Sequence, residues 1–233
     1  MKIEILYPEF LIYGDRGNVD YLEKIFNDDN LVYTHYGKTP YFVSEDVDMI
    51  FMGPMTEKQL YMTTELLLPH KDRIVDLIEK DKIFLIVGTA LEMFGKYIET
   101  PDGNKLKTLN VFPFVTKRDM GKRHDTTVLG DFNGMKIMGY DARFTEQYGN
   151  DDMPFLTVER GYGFNKKSKL EGVKYKNFFG TNLYGPILVL NPPFSKYILK
   201  LLGQNKTIPF EETAEKAYEI RLDKFTNENE FID

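Results

Sequence analysis

The chain has no cysteine among its 233 residues. That absence excludes disulfides, thiolate metal sites and a thiol nucleophile anywhere in the protein. Histidine is scarce too: His35, His70 and His124 stand apart, without a carboxylate at ligand spacing, so neither a metal nor another cofactor is expected. No apolar run approaches the ~18 residues of a membrane span, and Met1-Lys2-Ile3-Glu4-Ile5-Leu6-Tyr7 is too short and too charged for a secretory signal. A cytoplasmic protein is expected. Lys and Arg are scattered and outnumbered by Asp and Glu, 30 to 36, for a net charge of −6 and a pI near 5.3, so no nucleic-acid partner is expected. There is also no internal repeat and no linker of Ser/Gly/Pro composition.

What is present is enough apolar material, 42% of residues, to bury one substantial core. The most informative stretch is Ile83-Phe84-Leu85-Ile86-Val87-Gly88-Thr89-Ala90-Leu91-Glu92-Met93-Phe94-Gly95. Five consecutive apolar residues after Lys80-Asp81-Lys82 predict a strand buried on both faces, and the Gly that follows predicts a tight turn into a helix. Such a strand-turn-helix elbow lifts one side chain above the sheet and aims a helix N-terminus at a reacting group. Here the corner residue is Gly88, which has no side chain.

Around the elbow, residues 2–7, 31–36 and 47–52 read as strands, and 19–26 as a helix after the turn-rich Gly14-Asp15-Arg16-Gly17-Asn18. Residues 56–68 and 71–80 read as a helix pair broken at Pro69. Strands alternating with helices imply an α/β fold with a mostly parallel sheet and helices on both faces. Beyond the elbow, 109–116, 126–132, 135–140 and 175–183 read as strands, with Asn133-Gly134 as a hairpin turn. Residues 143–176 read as loop, 192–202 and 211–225 as helices, and 227–233 as a polar tail. The expected organisation is one α/β domain over 1–202, with 203–233 a C-terminal helix and tail packed on or extending from it.

Three segments carry a family resemblance. Tyr7-Pro8-Glu9-Phe10-Leu11-Ile12-Tyr13-Gly14-Asp15-Arg16-Gly17-Asn18 resembles Y-P-D-x-x-N-x-Y-G-D-R-G-N, and Gly88 to Gly95 lies on the elbow C-G-G-x-Q-x-L-G. Gly180-Thr181-Asn182-Leu183-Tyr184-Gly185-Pro186 resembles G-T-Y-L-H-G-P, with Glu171-Gly172-Val173-Lys174-Tyr175-Lys176-Asn177 similar to E-G-x-x-Y-K-N just before it. These motifs resemble the class I glutamine amidotransferases of the cobyric acid synthase type, and among them the amidotransferase subunits of lipid II isoglutaminyl synthase. The resemblance runs from about residue 1 to 202.

It implies the class I amidotransferase fold, flavodoxin-like in its sheet. It also implies a Cys that attacks the glutamine amide, a His that moves protons, and a Mur-ligase-like synthetase subunit that receives the ammonia and amidates a peptidoglycan precursor. On this chain the nucleophile position is Gly88 and the base position Tyr184, and neither can act in that role. A phenol of pKa ~10 is a poor substitute for imidazole, and losing one member of such a pair removes on the order of 10⁴ to 10⁶ in rate.

Supporting positions depart as well. The oxyanion loop G-G-G-Q-D is here Gly53-Pro54-Met55-Thr56-Glu57, where Pro54 has no N–H to donate. G-F-E-N-H is Gly139-Tyr140-Asp141-Ala142-Arg143, and the elbow Gln is Glu92. Arg123 falls near the position of the family's glutamine-carboxylate Arg.

The plainer readings stand beside these. Gly88 can mark a tight turn only, Tyr184 can cap a core edge with its hydroxyl in water, and Glu92 can be a solvated helix residue as readily as a plug in the old pocket. Arg16 can simply pair with Asp15 or a neighbouring carboxylate. The expected function is that of an amidotransferase-like protein without glutaminase activity, acting by binding or scaffolding. Its expected cleft is Gly53, Gly88, Thr89, Glu92, Arg123, Asp141 and Tyr184. Two alternatives use the same cleft: altered chemistry through Glu92, Asp141 or Tyr184 with Arg123 as anchor, or a sensor of a small amino acid or carboxylate.

Overall fold

The structure is a computed structural model that describes residues 1–227, so the end of the expected polar tail lies outside the described residues. The elements in chain order are β1 (Ile3–Leu6), α1 (Arg16–Ile25), β2 (Leu31–Thr34), β3 (Met49–Met52), α2 (Glu57–Leu67), α3 (Lys71–Glu79) and β4 (Ile83–Val87). There follow β5 (Tyr97–Glu99), β6 (Lys105–Lys107), β7 (Val115–Arg118), β8 (Thr126–Phe132), β9 (Met135–Asp141), β10 (Thr145–Tyr148), β11 (Leu156–Arg160), β12 (Leu170–Glu171), β13 (Val173–Tyr175) and β14 (Phe178–Thr181). The chain closes with α4 (Ile187–Leu190), α5 (Pro192–Leu201) and α6 (Glu211–Thr226).

A six-stranded sheet in the order β13-β14-β4-β3-β1-β2 organises the molecule. Every neighbouring pair in it is parallel except β13–β14. The apolar run of β4 has a direct cause in this arrangement. Ile83, Leu85 and Val87 enter one core, while Phe84 and Ile86 enter the other, so the strand has no solvent face to supply with polar residues. One core packs α1, α4 and α5 against the sheet and holds the interlocked rings of Phe132, Phe155, Phe179 and Phe194. Their centroids lie 5.2 to 6.4 Å apart, the spacing of edge-to-face and tilted aromatic pairs. The other core packs α2, α3 and the segment after β4 on the opposite face.

The remaining strands form two four-stranded sheets, β10-β7-β5-β6 and β12-β11-β8-β9, antiparallel throughout except β5–β7. The stretch expected as loop over 143–176 therefore contains β10, β11, β12 and β13. The strand expected over 175–183 is a hairpin: β13 turns at Lys176, in the left-handed region at φ 49°, and β14 runs back beside β4. No helix among the described residues is long and apolar enough to cross a membrane.

The elbow differs from expectation in one element. Residues Gly88–Phe94 form a 3₁₀ helix. The neighbouring segment ends it early: the N–H of Leu109 donates to the Met93 carbonyl, and those of Val111 and Phe112 both donate to the Phe94 carbonyl. Carbonyls occupied in this way have no amides left to take from a continuing α-helix. The same bonds explain why the strand expected from 109 starts only at Val115, since 109–112 are engaged there and Pro113 has no N–H.

Phe179 stands at the centre of the ring cluster with no exposed surface. Phe179→Ala should lower stability by about 3–5 kcal/mol, read by denaturant unfolding with the slope unchanged.

Candidate functional site

Gly88 adopts φ +62°, the left-handed region that side chains rarely enter, and its environment is full. A Cβ built on it would lie 2.6 Å from Cε1 of Tyr184 and 2.7 Å from Cβ of Pro54. The expected nucleophile and base positions are therefore in contact, and the Tyr184 ring occupies the space where a side chain at 88 would begin.

Tyr184 is held in place by its backbone. Its N–H donates to the Tyr140 carbonyl at 2.7 Å, and the Tyr140 N–H donates back at 3.1 Å, clamping the residue to β9. Its ring meets Tyr13 edge-on at 5.1 Å. Only 3% of Tyr184 is exposed, and burial, with Glu92 and Asp141 nearby, pushes its phenol well above the usual range. The hydroxyl stays protonated at neutral pH and is no base. Tyr184 is thus a buried part of the cleft wall.

The loop facing the elbow closes the next candidate function. Pro54 has no N–H, and that of Met55 donates to Thr89 Oγ1 at 2.9 Å, while the Thr89 hydroxyl donates to the Met55 carbonyl at 2.7 Å. Neither Pro54 nor Met55 therefore has a free backbone N–H to offer from this loop. Gly53 packs away from the cleft: its Cβ would lie 2.3 Å from Cδ2 of Leu11.

Glu92 is 1% exposed, which corrects the reading of it as a solvated helix residue. Its Oε2 accepts from Nη2 of Arg118 at 2.9 Å and its Oε1 from the Thr145 hydroxyl at 2.9 Å. Burial pushes its carboxyl up, and the Arg118 charge and these hydrogen bonds pull it down. Arg118 also donates through Nη1 to the Tyr61 hydroxyl at 2.8 Å. The expected anchor, Arg123, is not part of this arrangement: its side chain is 43% exposed, lies 3.8 Å from Asp125 and lines neither the cleft nor the hollow beside it. The cation that pairs with Glu92 is Arg118, the last residue of β7, and the arginine that lines the cleft itself is Arg143.

Asp141, at the end of β9, is buried behind the cleft wall with Arg143 Nε 3.2 Å from Oδ1 and His124 Nδ1 4.0 Å from Oδ2. Desolvation raises its carboxyl to about 7 and lowers the His124 imidazole to about 4, in a pocket that disfavours both charges. His124, which stands alone in sequence, is thus placed beside two carboxylates, the second being Glu146 at 3.6 Å. Among the described residues no three His, Asp or Glu side chains are grouped to hold a metal ion.

What remains of the cleft is a cavity of about 60 Å³ lined by Tyr13, Thr89, Glu92, Arg143, Thr145 and Tyr184, among others. Sites for small organic molecules begin at ~300 Å³. The cleft is closed by its own side chains.

The motif segments that resemble the family are joined to one another around this wall. The Asn18 amide donates to Asp15 Oδ1 at 2.8 Å and its oxygen accepts from the Leu188 N–H at 3.0 Å. Gly17 packs on Pro186, where a Cβ would lie 2.8 Å from Cγ. Glu171, fully buried, accepts from the Thr181 hydroxyl, the Asn182 N–H and the Asn182 amide at 2.7–3.0 Å. Arg16 pairs with Asp20 and Glu23 along α1, a neighbouring-carboxylate contact rather than one to Asp15.

A parallel sheet whose β4 ends in a tight turn, facing a clamped residue from the loop after β14, defines the class I glutamine amidotransferase fold. Solved structures share it. The chain superimposes on a glutamine amidotransferase crystal structure with a TM-score of 0.57 and 12% identity, covering 86% of this chain and 98% of that one. On a glutamine amidotransferase from Thermotoga maritima the TM-score is 0.54 at 11% identity, covering 94% and 92%. Residues 3–192 match the CobB/CobQ-like glutamine amidotransferase domain, and the chain belongs to that family. Its relatives include the GatD subunit of the glutamine-hydrolyzing lipid II isoglutaminyl synthase of Staphylococcus aureus, 28% identical over 202 residues, 86% of this chain and 83% of the relative. The GatD subunit of Streptococcus pneumoniae is 24% identical over 224 residues, 90% and 85% of the two chains.

Two measurements test the buried charges. Arg118→Met leaves the Glu92 carboxylate without its cation and should cost about 3–5 kcal/mol, whereas Arg118→Met with Glu92→Leu should recover most of that loss by denaturant unfolding. Asp141, raised from 3.8 to about 7, contributes stability that is complete below 3.8 and lost as pH rises through 7. His124, lowered from 6.5 to about 4, contributes stability complete above 6.5 and lost as pH falls through 4. The two trends oppose one another in the intact protein. Asp141→Asn should therefore make stability rise more steeply with pH across that window, and His124→Asn should make it fall; equal slopes in all three proteins would contradict the assignment.

Proposed function

We propose that this chain is an amidotransferase-like subunit that does not hydrolyse glutamine and acts by binding a partner. The observation that carries the reading is the filled corner at Gly88. There the Tyr184 ring and Pro54 stand where a nucleophile's side chain would begin, and Glu92 with Arg118 closes the hollow a substrate amide would enter. Attack on an amide needs a nucleophile, a proton acceptor and an oxyanion site. Gly88, the protonated Tyr184 and the Pro54–Met55 loop supply none of the three. The named relatives are subunits of a lipid II isoglutaminyl synthase, which supports a role beside a Mur-ligase-like synthetase subunit in amidation of a peptidoglycan precursor.

Ammonia release from glutamine by the purified protein should equal the no-protein blank. Gly88→Cys alone should not restore it, because the new side chain meets Tyr184 and Pro54, and the left-handed backbone disfavours any residue but glycine. Release above the blank by the unmodified chain would overturn the inactive reading. Failure of a synthetase-like protein from the same organism to co-purify at micromolar concentration would overturn the subunit reading.

A further inference from the structure

Phe144 and Thr145 form a wall with two sides: one faces the closed cleft, and the other, beside Arg118, faces a hollow of about 630 Å³. That volume is within the ~300–1,000 Å³ of sites that hold small organic molecules, and it exceeds what a single amino acid fills. The lining carries both signs of charge. Sheet register sets Glu146 of β10 opposite Lys117 of β7, and Lys117 opposite Glu99 of β5, so acid, base and acid stand in a row across three strands. Lys166, exposed on the loop after β11, adds a second cation, its ammonium 5.8 Å from the centre of the Tyr162 ring.

Lys117 and Glu99 are loosely engaged, with Nζ 3.8 Å from Oε1, beyond hydrogen-bond range, while Glu146 accepts from the Tyr148 hydroxyl through Oε2. A ligand of one sign meets repulsion from half of this lining. A ligand carrying both signs, spaced to match, does not.

We propose that this cavity binds a zwitterionic molecule of short-peptide size, its ammonium against Glu146 and its carboxylate against Lys117 and Lys166. The site is distinct from the closed cleft, and the inference holds whether or not the chain hydrolyses glutamine.

Calorimetric titration of the full chain with three probes tests it: the tripeptide Ala-Ala-Ala, succinate and putrescine. The tripeptide should give saturable binding, with the two single-sign probes at least about tenfold weaker. Lys166→Ala and Glu146→Gln should each weaken tripeptide binding by about tenfold, with the melting temperature of the free protein unchanged. No saturation by the tripeptide up to about 10 mM would overturn the proposal. Equal affinity for succinate or putrescine, or binding that survives both substitutions, would overturn it as well.

Discussion

The packing of Tyr184 against the left-handed corner at Gly88 sets the state of everything around it. The backbone that carries the ring is pinned, since the N–H and the carbonyl of Tyr184 are both bonded to Tyr140 of β9, and the corner has no side chain to displace the ring. With that space filled, the depth of the cleft is available to residues of the protein itself. Glu92 turns inward from the 3₁₀ helix, and a buried carboxylate requires a counter-charge, which Arg118 provides from the end of β7. Thr145 and Tyr61 then add one hydrogen bond to each member of the pair, and Nε of Arg118 is left without one. Each step follows from the one before because a buried charge left single costs far more than one that is paired.

The residues that join the family-like motifs have a structural role of their own. Asn18, Gly17 and Glu171 hold the loop that carries Tyr184: Asn18 on Leu188, Gly17 under Pro186, Glu171 on Thr181 and Asn182. Asn191 adds bonds to Met138 and Ile187 on the far side of the same loop. The place of that loop beside the sheet is therefore set by contacts remote from Gly88, whichever side chains face the cleft.

Much of the fold was legible because the parallel strands are buried on both faces. β3 and β4 announce themselves as short apolar runs, β1 by a loose alternation around the buried Glu4, and β4 in particular has no polar position because two cores claim its alternate residues. The strands in 143–176 were hidden by their surroundings. β11 does alternate buried and exposed positions, a strand signal masked by its five-residue length and by flanks rich in Gly, Asn and Lys, and β12 has only two residues. At the site, Gly88 and Tyr184 were readable from motif position, but the partner of Glu92 was not. Arg123 sits two residues beyond Gly121 in an exposed turn, while Arg118 occupies an inward position of β7, where Thr116 and Arg118 are buried and Lys117 is not. An arginine at an inward strand position calls for an internal carboxylate, and Glu92, already placed in the expected cleft, is the one it meets. His124 gave no comparable signal, since its carboxylate neighbours arrive from β9 and β10.

The Glu92–Arg118 pair is a costly way to fill a hollow. Apolar residues of the same volume would close the cleft at least as stably, because desolvating two charges offsets most of their attraction. A guanidinium does something an apolar group cannot: it fixes direction on several edges at once. Nη2 holds the cleft plug, Nη1 holds Tyr61 of α2, and the side chain as a whole lines the 630 Å³ hollow beside the partition that separates it from the 60 Å³ remnant. The ion pair is therefore better understood as orienting that partition than as stabilising the fold, and the side of the partition left open is the side on which Lys117 and Glu99 remain loosely engaged.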